Sequence, residues 1–276
     1  MGTPVILIHG MWCHGGLLSR LDELLSARTY ECHRPTLPAH EAGPVQADAV
    51  ARLSIRDYAE ALKDYIASQN FSQPPVLVGH SMGGLLAQML ATEIPTAALV
   101  LLTPASPRGI NAVVPRTFWT FLGVLSRFGF WRRAHKLSPE RTRQCAVNGL
   151  HAAQQEKIIK SLVYESGRML SEIAFWWADR KRATRVEAKA VRCPVYVVSA
   201  GQDWLTPPSV VKKVAARYAN ATHRHWPDRG HWVIDDIDTE DMVREIDSWL
   251  RPILLRARRP SVPLVASNIR SIAREI

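Results

Sequence analysis

Residues 76–84 read Val76-Leu77-Val78-Gly79-His80-Ser81-Met82-Gly83-Gly84, and residues 83–92 continue with helical spacing. An unbroken Val and Leu run predicts a strand buried on both faces. The run passes through Gly-x-Ser-x-Gly straight into the helix pattern. Gly79 and Gly83 remove side chains where the backbone must double back, so Ser81 is expected on a strained turn, its hydroxyl above the strand end. A strand that turns so abruptly into a helix belongs to a parallel sheet.

Outward from this stretch the same alternation recurs. Apolar runs at 4–8, 97–102 and 194–200 predict three more buried strands, and 30–37 and 221–226 predict two weaker ones. Helical spacing covers 16–25, 54–68, 209–218 and 238–250. Residues 104–190 have helical periodicity and no strand pattern. The expected architecture is therefore α/β: a doubly wound, mostly parallel sheet from residues 1–103 and 191–250, with a helical cap at 104–190 over its carboxyl edge. Residues 251–276 form a basic C-terminal tail in which prolines are expected to break any long helix.

The charge follows the same division. The 276 residues carry a net +10, made of −3 over 1–103, +10 over 104–190, −2 over 191–250 and +5 over 251–276. With 47% hydrophobic and 22% charged residues, whole-chain disorder, collagen and coiled coil are excluded. No apolar run approaches the length of a membrane span. Cys13, Cys32, Cys145 and Cys193 form no metal-ligand or CxxC pattern, and no leader pattern precedes MGTPVILIHG. Reduced thiols and a cytoplasmic location are expected.

A serine hydroxyl needs a base, and the base needs an orienting carboxylate, both from loops at the carboxyl ends of the strands. The loop after 97–102, Thr103-Pro104-Ala105-Ser106, has no carboxylate, whereas Gly201-Gln202-Asp203-Trp204 follows the next strand. Asp203 is the candidate acid, against a solvated turn aspartate. Of ten histidines, His231 follows a strand in Arg229-Gly230-His231-Trp232 and is the candidate base. His80 competes but adjoins the serine. His223 and His225 share one face of the last strand and are expected to pack. The amides of Met82, at a helix start, and Met11, in His9-Gly10-Met11-Trp12, are the candidate oxyanion donors. His9 is read as structural and Cys13 as a buried thiol.

The order of HG loop, GHSMGG turn, GQD turn and GHW loop resembles the α/β-hydrolase superfamily over about residues 3–250. Within it, the chain is similar to small esterases and lipases with a helical lid. The resemblance implies Ser81, Asp203 and His231 as a catalytic triad and the Met11 and Met82 amides as oxyanion hole, with no cofactor and no metal. Two departures stand out: the family's first hairpin is missing, and Pro35-Thr36-Leu37-Pro38-Ala39-His40-Glu41 replaces an aspartate-containing turn.

The expected activity is hydrolysis of carboxylic esters with apolar acyl or aromatic groups, through an acyl-enzyme on Ser81. Acyl transfer or thioester cleavage, a lipase or lysophospholipase at membranes, and a catalytically silent binding protein are the alternatives. Trp12, Trp204 and Trp232 lie beside the candidate residues and are expected to line the pocket with Trp176 and Trp177 of the cap. Packing competes for Phe175, Trp176 and Trp177. The cap holds 10 of the 21 aromatic residues, with Arg132 and Arg133 after Phe128-x-Phe130-Trp131. That texture suits a small-molecule or lipid ester and weak contact with an anionic membrane. No nucleic-acid module accompanies the charge.

Overall fold

In the computed structural model, which describes residues 2–41 and 47–257, the chain alternates strand and helix. Its elements are β1 (Thr3–Ile8), α1 (Ser19–Ser26), β2 (Tyr30–His33), α2 (Ala47–Ala51), α3 (Ile55–Ser68), β3 (Val76–His80), α4 (Met82–Leu90) and β4 (Ala98–Leu102). Then follow α5 (Pro115–Leu125), β5 (Ala134–His135), α6 (Pro139–Arg141), α7 (Ala152–Ser161), β6 (Glu165–Ser166) and α8 (Gly167–Ala174). The chain closes with β7 (Val195–Ala200), α9 (Pro208–Ala215), β8 (Ala221–Trp226) and α10 (Thr239–Ala257).

Six strands form one sheet in the order β2-β1-β3-β4-β7-β8. Every neighbouring pair is parallel. Alternation along the buried strands sends Val5, Leu7, Val76, Val78, Val100 and Val198 to one face, packed with α1 and α10. Ile6, Ile8, Leu77, Leu99, Leu101 and Val197 face the other way, onto α3, α4 and α9. Two apolar faces explain why these strands read as continuous Val, Ile and Leu. Because β1 pairs with β2 on one side and β3 on the other, the loops leaving β1 and β3 part around a crevice at the carboxyl edge. Gly10 and Ser81 stand at that point.

Four details differ from expectation. The strand predicted at 30–37 ends at His33; Pro35 has no N–H for a ladder, and the Leu37 amide donates to His9 Nε2 instead, at 3.1 Å. The predicted cap segment contains an antiparallel pair, β5 with β6, too short to leave a two-residue periodicity in the sequence. The last helix passes through Pro252 to Ala257, because Leu254 still packs into the core; the remaining predicted tail, 258–276, lies outside the described residues. Finally, β8 is an exposed edge. His223 and His225 do share a face, as alternation requires, but they meet solvent and the Ser199 hydroxyl, 2.9 Å from each ring, rather than a packed layer.

The segment between β4 and β7 is tied to the rest by buried polar contacts. Glu165 at β6 lies 3.0 Å from His40 Nε2 and accepts from the Tyr58 hydroxyl at 2.8 Å. His40 Nδ1 faces the Pro38 carbonyl at 2.9 Å. Both ring nitrogens thus point at acceptors, which only the doubly protonated imidazolium satisfies. Burial opposes that charge, and the Glu165 carboxylate overcomes it, so the His40 pKa is raised. The unusual turn at residues 35–41 is therefore the core's half of a buried ion pair.

Candidate active site

The turn after β3 is held from three sides. The Ser81 amide donates to Leu102 at 3.0 Å, and its carbonyl accepts from Gly84 at 2.9 Å and Ala105 at 2.8 Å. Within this frame Ser81 takes φ 56° and ψ −120°, a conformation L-residues avoid and one the surrounding bonds must over-determine. The glycines make it possible: a Cβ on Gly79 would stand 2.2 Å from the Gly83 carbonyl oxygen, and one on Gly83 would stand 2.1 Å from that of Ile8. Met82 opens α4, so its amide has no partner within the helix. The β1 loop comes equally close, since a Cβ on Gly10 would lie 2.9 Å from Ser81 Cβ.

Asp203 follows β7 and is fully buried. Its Oδ1 accepts the Leu205 and Thr206 amides, both at 2.8 Å. Its Oδ2 lies 2.8 Å from the Thr206 hydroxyl and 2.8 Å from His231 Nδ1. These contacts fix the carboxylate at the start of α9 and point one oxygen at the imidazole. Sequence reasoning misses Thr206, although Asp-x-x-Thr ahead of a proline-initiated helix is a recognisable side-chain-to-backbone pattern.

The His231 carbonyl accepts from His80 Nε2 at 3.0 Å and from the Thr103 hydroxyl at 3.2 Å. With Nδ1 taken by Asp203, Nε2 is the free nitrogen of the His231 ring. Ser81 and His231 line one cavity, about 320 Å3 counting its mouth. Ser81 Oγ has no hydrogen-bond partner among the described residues. His80 is neutral, its pKa pushed down to about 3 by burial and then by His231. His9 is also lowered to about 3, by burial and then by His40; with Nε2 accepting from Leu37, it does structural work. Cys13 is buried, and burial raises its thiol far above the ordinary range.

A second cavity, about 630 Å3 counting its mouth, also opens at Ser81. Apart from the Trp12 indole, the hydroxyls of Ser81, Ser106, Thr117 and Thr206 are the polar side chains among its described lining. Phe121, Leu125, Leu170 and Ile173, from the segment between β4 and β7, supply much of its wall. Trp12 lines both cavities and Trp232 the smaller one. Trp204, Trp176 and Trp177 line neither. The Arg116 guanidinium covers the Trp204 ring at 5.1 Å, Arg108 covers Trp176 at 5.2 Å, and Trp177 is turned to solvent, 68% exposed. Trp204 and Trp176 are thus drawn to arginines and Trp177 to solvent. Aliphatic side chains with no distinguishing motif form the wall instead.

Comparison with known proteins bears on the fold and the family. The chain is 26% identical over 248 residues to a pimeloyl-[acyl-carrier protein] methyl ester esterase from Chromobacterium violaceum, covering 83% of this chain and 87% of that protein. The fold is similar to that of a monoacylglycerol lipase from Paleococcus ferrophilus, with TM-score 0.68 at 22% identity, covering 92% of this chain and 97% of the other. A methylesterase from Arabidopsis superposes with TM-score 0.65 at 13% identity, covering 92% and 98%. No described helix is long and apolar enough to cross a membrane. With the alpha/beta hydrolase family model matched over residues 5–245, from β1 into the last helix, the chain belongs to that family.

Proposed function

We propose that this protein hydrolyses carboxylic esters through an acyl-enzyme on Ser81. His231 takes the Ser81 proton and passes it to the leaving alcohol, then activates the water that releases the acid. Asp203 holds the tautomer with the proton on Nδ1 and stabilises the imidazolium. The Met11 and Met82 amides bind the oxyanion. The observation that carries this reading is the 2.8 Å contact of His231 Nδ1 with a carboxylate locked by two amides. It leaves Nε2 as the free nitrogen of a ring that shares a cavity with Ser81. Kinship with a methyl ester esterase supports ester over amide cleavage. A fluorophosphonate probe should label the protein, and Ser81→Ala should lose both labelling and ester hydrolysis. A wild-type protein that resists the probe and all esters is a silent binding protein. Product analysis with added alcohol or thiol acceptors separates hydrolysis from acyl transfer.

We also infer contact with an anionic membrane surface. Phe128 is 91% exposed and begins a run of rings through Trp131, Phe130 and Phe175 to Trp177, with centroids 5.5–6.5 Å apart. Exposed Arg127, Arg132 and Arg133 flank it. Aromatic side chains beside arginines suit the boundary of headgroups and acyl chains. Phe118 and Leu125 line both the groove beside this patch and the large cavity, so the surface adjoins the site. Wild type should sediment with anionic vesicles and not with neutral ones, and Phe128→Ala with Arg132→Ala and Arg133→Ala should abolish it. Equal sedimentation of the triple variant refutes the inference.

A further inference from the structure

The two cavities that meet at Ser81 are unequal, and the chemistry decides which part of an ester each receives. They share Met11, Trp12, Ser81 and Leu205 and diverge from there. His231 lines only the smaller one, of about 320 Å3. In acylation, Ser81 Oγ bonds to the carbonyl carbon, and the bond from that carbon to the alkoxy oxygen breaks. The proton that Ser81 gave to His231 goes to that oxygen, so the alcohol must depart on the imidazole's side. The acyl chain stays on Oγ and lies away from it. In deacylation a water takes the place of the alcohol, gives its proton to His231, and bonds to the same carbon as Ser81 Oγ leaves and recovers the proton.

The smaller cavity is therefore the alcohol side and the larger one the acyl side. Resting on the serine-hydrolase reading above, we propose that the substrate joins a bulky apolar acid to a smaller alcohol. Bulky, held side chains line the alcohol side. Trp12 donates its Nε1 to the His135 carbonyl at 3.1 Å and stacks on Phe121 at 5.8 Å. Trp232 is buried, and Leu162 and Ala146 complete the wall. Ala146 and Thr142 come from a π-helical turn, Thr142–Ala146, a local irregularity that brings two side chains to the cavity. The acyl side holds no charged side chain and about twice the space, about 630 Å3.

Two ester series on the wild-type protein test this directly. With octanoate fixed as the acid, kcat/KM should fall about tenfold or more from the methyl to the butyl ester, since each misfitted methylene in an apolar pocket costs at least about that factor. With methanol fixed, kcat/KM should rise about tenfold or more from acetate to octanoate, by the same discrimination. Leu162→Ala should raise the butyl ester relative to the methyl ester, and Ala146→Phe should do the reverse, both leaving the acyl-length profile in place. A flat or inverted alcohol series overturns the assignment, as does a shift of acyl preference by Leu162→Ala. Fluorophosphonate labelling of Ser81 in the same preparations tells the two failures apart. Labelling with an inverted series sinks only the assignment of sides, whereas absence of labelling sinks the serine reading and this one with it.

Discussion

Asp203→Asn isolates the role of one oxygen. Because Oδ1 already accepts the Leu205 and Thr206 amides, each at 2.8 Å, the carboxamide cannot flip without setting its NH2 against two N–H donors. Its oxygen stays with the backbone, and its NH2 takes the place of Oδ2, 2.8 Å from His231 Nδ1. The amide then donates to Nδ1, which must give up its proton. The proton moves to Nε2, where the ring can no longer accept from Ser81. In a serine protease triad, a wrong tautomer of this kind costs about 10^4 in kcat, or about 5.4 kcal/mol at 1.36 kcal/mol per decade. The assay is kcat/KM on a methyl ester, with circular dichroism and thermal unfolding as controls for the fold. Retention of more than about a tenth of the activity by a folded Asn variant would refute the tautomer argument, since that corresponds to less than about 1.4 kcal/mol.

Thr206→Val removes the hydroxyl that lies between Asp203 Oδ2 and the Thr103 carbonyl and leaves both backbone donors to Oδ1 in place; with about 1.5–3 kcal/mol in a hydrogen bond to a charged group, kcat/KM should fall by about one to two decades, read from initial rates. His80→Phe loses the donor to the His231 carbonyl while Thr103 keeps its own, so activity should fall modestly; the acid limb of the pH–rate profile should not move, because an imidazole pushed to about 3 carries no charge there. Glu165→Gln strands a buried imidazolium and should cost about 3–5 kcal/mol by denaturant unfolding. For His40 the folded pKa is raised, so its contribution is complete below the unfolded value of about 6.5 and fades as pH rises through the folded value. The stability gap between wild type and His40→Gln should therefore narrow as pH rises from about 6 upward, and a gap that widens would contradict the sign.

The elements that place the chemistry are legible because each signal is local. Ser81 directly follows β3 and Asp203 lies three residues past β7, both buried strands that read as apolar runs, whereas His231 lies five residues past β8, an exposed edge strand recognised more weakly. The sheet faces follow from alternation alone. What escapes depends on contacts across the chain. Nothing near Trp204 announces that Arg116 will cover it, and nothing near Trp176 announces Arg108. Alternation puts His223 and His225 on one face of the right strand, but β8 lies at an edge, and edge position is a property of the sheet order rather than of the strand. The pairing of His40 with Glu165 spans 125 residues, and each partner alone reads as an ordinary loop polar group.

On the proposed mechanism, the histidines around Ser81 show how one fold would give a single imidazole the proton-carrying role. His9, His80 and His231 are all buried beside the turn after β3. Burial by itself makes an imidazole a poor base, since the charged form loses its water. His9 and His80 show this, both held near 3. Each also spends Nε2 on the main chain, His9 accepting from Leu37 and His80 donating to the carbonyl of residue 231. Of the three, only His231 has a carboxylate at Nδ1, and only its Nε2 is uncommitted among the described residues. The selection thus rests on Asp203, not on closeness to the serine. Placing a carboxylate beside His80 would raise its pKa, yet it would gain no catalytic role, because its Nε2 would still be bound to the carbonyl that positions its neighbour.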